Sequence, residues 1–202
     1  MLPRIYPIVD AANFTSQRDL LEFVRNLLAG GATLIQYRNK KGSARQILSD
    51  ARNLRLAFAE NVRWIMNDRA DLCLAAGFDG VHLGQDDLSP ERARNVVKEG
   101  KLVGISSHSV EQAIAADATT ADYIAIGPIF STTSKEQPDP VVGLEGLKKV
   151  RAATRKPLVA IGGITLANCR SVIDAGADSV AVISALLTSP AKTVEDFIRV
   201  LM

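Results

Sequence analysis

Eight times along the chain a short apolar run is followed by an amphipathic segment, and this alternation limits the fold more than any other feature. The runs at 5–9, 33–37, 62–66, 80–83, 102–105, 123–126, 158–161 and 179–182 have the length and residue types of buried strands. The intervening segments carry helix signals. Leu20, Leu21, Val24, Leu27 and Leu28 fall on one face of a helix starting near Gln17, and Gly30-Gly31 ends it. Ser43 with Gln46, and Ser109 with Gln112, make capping-box starts, while Ser89-Pro90 and Ser189-Pro190 place a capping hydroxyl before a proline at the first helical position. Further helices are expected over 70–76, 144–153 and 168–175. Eight strands could also form a doubly wound open sheet. Even units without a Rossmann glycine signature favour a closed (β/α)8 barrel, a single domain over residues 1–202.

Composition narrows the partners. With 202 residues, 47% of them hydrophobic, the chain can bury one substantial core. Twenty-four Lys and Arg against twenty-two Asp and Glu leave a formal charge of +2, which argues against nucleic-acid binding. Cys73 and Cys169 lie far apart, without zinc-site or disulfide-scaffold spacing, and fit a reducing compartment. No apolar run reaches the roughly 18 residues of a membrane span, and no basic-then-apolar leader opens the sequence. The expectation is a cytoplasmic protein with small-molecule partners, no membrane or nucleic-acid partner, and homo-oligomerisation left open.

In such a barrel the chemistry sits at the carboxyl ends of the strands. After the second run come Gln36, Arg38 and Lys40, spaced by two, so an extended backbone sends one amide and two cations from the same face. After the third and fourth come Asn67 and Asp68, then Gln85, Asp86 and Asp87. A lone Asp after a strand more often caps a helix, but acids on neighbouring strands beside a basic strand end can share Mg²⁺, with waters and phosphate completing its shell. The fifth run leads into Ser106, Ser107 and His108; the sixth opens through Gly127-Pro128 into Ser131, Thr132, Thr133, Ser134 and Lys135, a gripper for an anion. Adjacent Ser and His seldom reach one another, so covalent catalysis is not favoured. His82 reads as packing inside the fourth strand, outside the site. Gly162-Gly163 and Ile183-Ser184 end the last two runs where barrels of this kind hold phosphate, with 184–187 as a short extra helix. Two anion sites imply two phosphorylated substrates.

The segments QYRNK, NDRADL, GVHLGQDD, GISSH, GPIFSTTSK, AIGGIT and AVISAL resemble, in order, the signatures of the thiamine-phosphate synthase family, over nearly the whole chain. The resemblance implies a (β/α)8 transferase that joins a pyrimidine methyl diphosphate to a thiazole phosphate with Mg²⁺, giving thiamine phosphate and pyrophosphate. It implies diphosphate contacts at Gln36, Arg38, Lys40, Asn67, Ser106 and Lys135, with Arg38, Lys40, Ser106 and Lys135 assisting catalysis. It implies Mg²⁺ ligands at Asp68 and Asp87, and thiazole-phosphate contacts at Thr132, Ser134, Gly163, Ile183 and Ser184. Many relatives have Thr where this chain has Ser134. The rival readings are a thiazole tautomerase of the same fold, with His108 near its histidine, and a noncatalytic phosphate sensor. The tautomerase branch typically lacks the acid pair and the strand-two glutamine, both present here.

Overall fold

In the computed structural model, which describes residues 2–60, 62–132 and 139–202, each apolar run is a strand and each capped segment a helix. The strands are β1 (Ile5–Asp10), β2 (Leu34–Arg38), β3 (Arg63–Asn67), β4 (Gly80–Leu83), β5 (Leu102–Ser107), β6 (Tyr123–Ile126), β7 (Leu158–Ile161) and β8 (Ser179–Val182). They pair in chain order, all parallel, and β1 closes the ring against β8. The helices are α1 (Gln17–Ala29), α2 (Ala44–Ala57), α3 (Ala70–Ala76), α4 (Pro90–Val97), α5 (Val110–Asp117), α6 (Gly143–Ala153), α7 (Cys169–Asp174) and α8 (Pro190–Leu201). Several strands run further than the apolar pattern indicates. Arg38, Asn67, Ser106 and Ser107 therefore belong to strand ends, held in ladder geometry rather than in loops.

The caps are local and mostly as the sequence indicates. Ser16, Ser43, Ser89 and Ser109 each accept the backbone N–H three residues on. The reciprocal half of the capping box does not form: the Gln46 side chain donates to Asp50, and Gln112 accepts the His108 N–H. Ser189 stands at the α8 N-cap without a side-chain bond, leaving Pro190 as that helix's start signal. The expected extra helix at 184–187 is a single 3-10 turn, Ser184–Leu186.

Alternating strand residues divide the core into two layers. One set, including Val9, Ile35, Tyr37, Trp64, Val103 and Val180, packs outward against the helices. The other, including Tyr6, Ile8, Leu34, Ile65, Tyr123 and Val159, fills the barrel interior. On the amino-terminal face three Arg–Asp clamps repeat every two units. Asp79, Asp122 and Asp178 each immediately precede an even-numbered strand, accept the N–H of Trp64, Val103 and Leu158 on the strand before (2.7–2.8 Å), and pair with Arg55, Arg94 and Arg151 of α2, α4 and α6 (3.2, 2.6 and 3.1 Å). Each clamp fixes a helix to two strand starts, which sets where the opposite strand ends emerge.

Candidate active site

The carboxyl ends of the strands surround a cavity of about 380 Å³. Gln36, Arg38, Lys40, Asn67, Asp68, Ser106, Thr132, Gly163, Ile183 and Ser184, all expected at the site, line it together. Asp87 joins through Asp68. Ser134 and Lys135, with Thr133, lie outside the described residues.

Period-two spacing on β2 delivers the basic side. Gln36 is buried at the end of the interior column, and Arg38 and Lys40 stand successively closer to the mouth. Arg38 donates to Asp10, its direct register partner on β1, and the other Asp10 oxygen accepts the Ala12 N–H at 3.1 Å. Asp10 is a site residue that the sequence reading missed. One acid at the end of the first strand carries no pattern of its own; only the β1–β2 register gives it a partner.

Lys40 lies 2.5 Å from Asp68, whose backbone adopts φ +62°, a left-handed conformation uncommon away from glycine. The turn brings the Asp68 carboxyl against that of Asp87, which is itself held by the Gly84 N–H at 2.6 Å. Burial, together with the neighbouring Asp87 carboxyl, holds Asp68 above the usual carboxylate range despite the ammonium beside it. Two carboxylates in contact form a donor set that a small hard cation would relieve. Among the described residues no cluster of three His, Cys, Asp or Glu gathers for a metal, but Mg²⁺ takes one or two carboxylates plus water and phosphate oxygens. The fit is therefore to Mg²⁺ brought with a phosphorylated ligand.

A hydrogen-bonded chain crosses the barrel beneath this pocket. Gln36 Nε2 donates to the Tyr6 hydroxyl (3.1 Å), Tyr6 bonds Tyr123 (2.9 Å), Tyr123 bonds His82 Nδ1 (3.0 Å), and His82 Nε2 bonds Ser106 Oγ (2.9 Å). The expectation that His82 lies outside the site is thus corrected. It is buried, but it stands level with Asn67 in the β3–β4 register, lines the cavity and holds a site hydroxyl. Burial lowers its pKa to about 4, which makes it a weak base despite its contact with a serine. His108, by contrast, places Nδ1 beside the Gly127 carbonyl (3.1 Å) and Asp139 (3.4 Å), and the buried Ser107 hydroxyl next to it has no hydrogen-bond partner among the described residues, so the adjacent Ser–His pair does not form.

The far wall is built from backbone. Gly127-Pro128 is cis, and Ile129 and Phe130 continue the pairing onto Ile161 and Gly162. The segment is tied at its base by the Val142 N–H to the Pro128 carbonyl, 2.8 Å. Gly163 adopts φ +63°, and a Cβ there would lie 2.5 Å from the Ser131 carbonyl oxygen. Its missing side chain therefore makes room for the β6 segment first; a residue at 163 would act on a ligand by pushing that wall.

The thiamine monophosphate synthase family model matches residues 5–186. The thiamine-phosphate synthase of Koribacter versatilis (strain Ellin345) is 60% identical over 203 residues, covering 99% of this chain and 96% of that protein. That of Chloroflexus aurantiacus is 42% identical, covering 92% and 86%. Among solved structures, a thiamine phosphate pyrophosphorylase from Pyrococcus furiosus superposes with TM-score 0.86 at 33% identity, covering 98% of this chain and 95% of that one. With the match spanning the barrel and every site strand, the chain belongs to the thiamine monophosphate synthase family and is a transferase.

Proposed function

We propose that the protein condenses 4-amino-2-methyl-5-pyrimidinylmethyl diphosphate with 4-methyl-5-(2-phosphoethyl)thiazole, or with its carboxylated form with loss of carbon dioxide, to give thiamine phosphate and pyrophosphate. The observation that carries this reading is the meeting of Arg38 and Lys40 with the Asp68–Asp87 carboxyl pair at one side of a single cavity. Family membership supplies the reaction; the cavity supports the assignment of parts.

Asp68 and Asp87 would hold Mg²⁺, which when bound offsets charge on the departing diphosphate. Arg38, Lys40 and Asn67 would take the diphosphate oxygens, with Lys40 moving its charge from Asp68 to the leaving group. Ser106 would add one hydroxyl to that cluster. As the carbon–oxygen bond breaks, positive charge builds on the pyrimidine methylene, and the thiazole nitrogen attacks it. No protein nucleophile is needed, and catalysis is charge stabilisation plus positioning. Thr132, Ser134, Gly163, Ile183 and Ser184 would hold the thiazole phosphate at the opposite wall, while Lys135 would add its charge to the diphosphate. The reading places the work in the cytoplasm with these small molecules as partners.

The test is to supply both substrates with Mg²⁺ and follow pyrophosphate and thiamine phosphate together. Equal amounts of the two, formed only when both substrates are present, are expected. Isomerised thiazole without pyrophosphate would favour the tautomerase, and binding without turnover would favour the sensor.

A further inference from the structure

The buried chain from Gln36 to Ser106 links five side chains on five strands, β2, β1, β6, β4 and β5, and only its two ends reach the cavity among residues expected to touch substrate. Of its interior members His82 also lines the cavity, while Tyr6 and Tyr123 are enclosed, each 1% exposed. Burial raises both phenols well above their ordinary range, so each keeps its hydrogen and must place it.

A chain of hydroxyls ending in an imidazole has two polarities. In the first, Gln36 Nε2–H donates to Tyr6, Tyr6 to Tyr123, and Tyr123 to His82 Nδ1. His82 then donates Nε2–H to Ser106, which leaves the serine hydrogen for the cavity. In the second, the Gln36 amide is turned over and every donor is reversed. Ser106 then spends its hydrogen on His82 and presents only lone pairs. The cavity decides between them. Arg38 and Lys40 make this wall a place for anionic oxygens, and an anion repels a lone pair and accepts a hydrogen. Under the first polarity Ser106 offers a hydrogen, and the second Gln36 N–H remains available as well.

We infer that Tyr6, Tyr123 and His82 are positioning residues that fix His82 in the Nε2–H form and so make Ser106 a hydrogen-bond donor to an anionic oxygen. The inference deepens the proposed function, resting on it only in taking that oxygen to belong to a diphosphate. Gly104 on β5 shows that the barrel makes room for this chain. It faces Tyr123 in the ladder, and a Cβ there would lie 2.0 Å from the phenol ring.

The chain has two histidines, so ¹⁵N-histidine labelling of the full protein, with His108→Gln to assign the signals, reads the His82 tautomer directly without ligand or turnover. A single form protonated at Nε2 is expected. Protonation at Nδ1, or a mixture of forms, overturns the inference with no variant needed. A free imidazole already leans mildly towards Nε2, so Tyr123→Phe is the second arm and should convert the single form to a mixture; an unchanged tautomer in that variant also overturns it. In the third arm, binding of inorganic pyrophosphate with Mg²⁺ is measured by calorimetry. Ser106→Ala should weaken it about 10-fold, the worth of one hydrogen bond to a charged oxygen, Tyr123→Phe should weaken it about 2-fold because part of the population keeps the Nε2–H form, and the double variant should be little worse than Ser106→Ala alone. Additive losses would mean that the tyrosine acts by packing alone. If the synthase assay fails while the tautomer result holds, the hydrogen-bond polarity stands and the substrate assignment falls.

Discussion

Gly104→Ala is a one-methyl test of whether the barrel interior is as tightly set as its hydrogen bonds indicate. The new Cβ would sit 2.0 Å from Tyr123 Cζ and 2.4 Å from its hydroxyl oxygen, where ordinary carbon contacts need about 3.5 Å or more. The ring must therefore retreat by about 1.5 Å, more than bonds of 2.9 Å to Tyr6 and 3.0 Å to His82 can absorb. Overpacking costs about 1–3 kcal/mol, and buried hydroxyl and imidazole groups stripped of partners cost about 1–3 kcal/mol more. The expected destabilisation is about 3–5 kcal/mol, a drop in Tm on the order of 10 °C for a domain of this size. Urea unfolding of the ligand-free protein measures it, and the histidine signals should show His82 losing its single tautomer. Gly104→Ala combined with Tyr123→Leu should cost much less than the sum of the two changes, because the clash is gone. A loss below about 1 kcal/mol with the His82 signal intact would refute the reasoning, since the ring would then have somewhere to go.

Arg38→Ala should lower the rate by about 100-fold or more by removing charge from the departing diphosphate and leaving Asp10 unpaired; a loss confined to thiazole-phosphate affinity would contradict that role. Asp68→Asn should raise the Mg²⁺ requirement and cut turnover at least about 10-fold while the melt is nearly unchanged, and an unaltered metal titration would remove Asp68 from the metal site. Asp79→Ala should do the reverse, costing about 1–3 kcal/mol through the lost Trp64 N–H and Arg55 partners with the kinetic constants unchanged. Gly163→Val should raise the KM for thiazole phosphate more than that for the pyrimidine diphosphate by displacing the Ser131 backbone, with a thermal melt as control; equal losses in a folded variant would show that the two anions are not held at opposite walls.

The fold was legible because its signals are local. A β-branched run, a serine before a helix and a proline at its first turn sit within a few residues of what they determine, and the barrel follows once eight such units are counted. The basic and acidic strand ends were legible for the same reason, with Gln36, Arg38 and Lys40 sharing a face through a spacing of two. Interior contacts were not. Tyr6 and Tyr123 bond across 117 positions of sequence, and in sequence each is only an aromatic residue in an apolar run. His82 looked like core because its strand position precedes the rim, yet its ring reaches Ser106 on the next strand. Asp10 needed the β1–β2 register, and Gly104 reads as a gap in a strand until the phenol that fills it is located.

The three Arg–Asp clamps have a consequence for how freely this barrel can change its chemistry. They anchor helices to strand starts at the closed floor, through backbone N–H groups that no rim substitution touches. The loops at the opposite end can lengthen, shorten or be exchanged without loosening the frame that aims them. Such a floor works as a chassis: grafting a foreign segment between Pro128 and Val142, whose ends are already tied together, would put a different grip above the same strands. Latitude in substrate at the rim is thus underwritten by rigidity at the other end of the barrel.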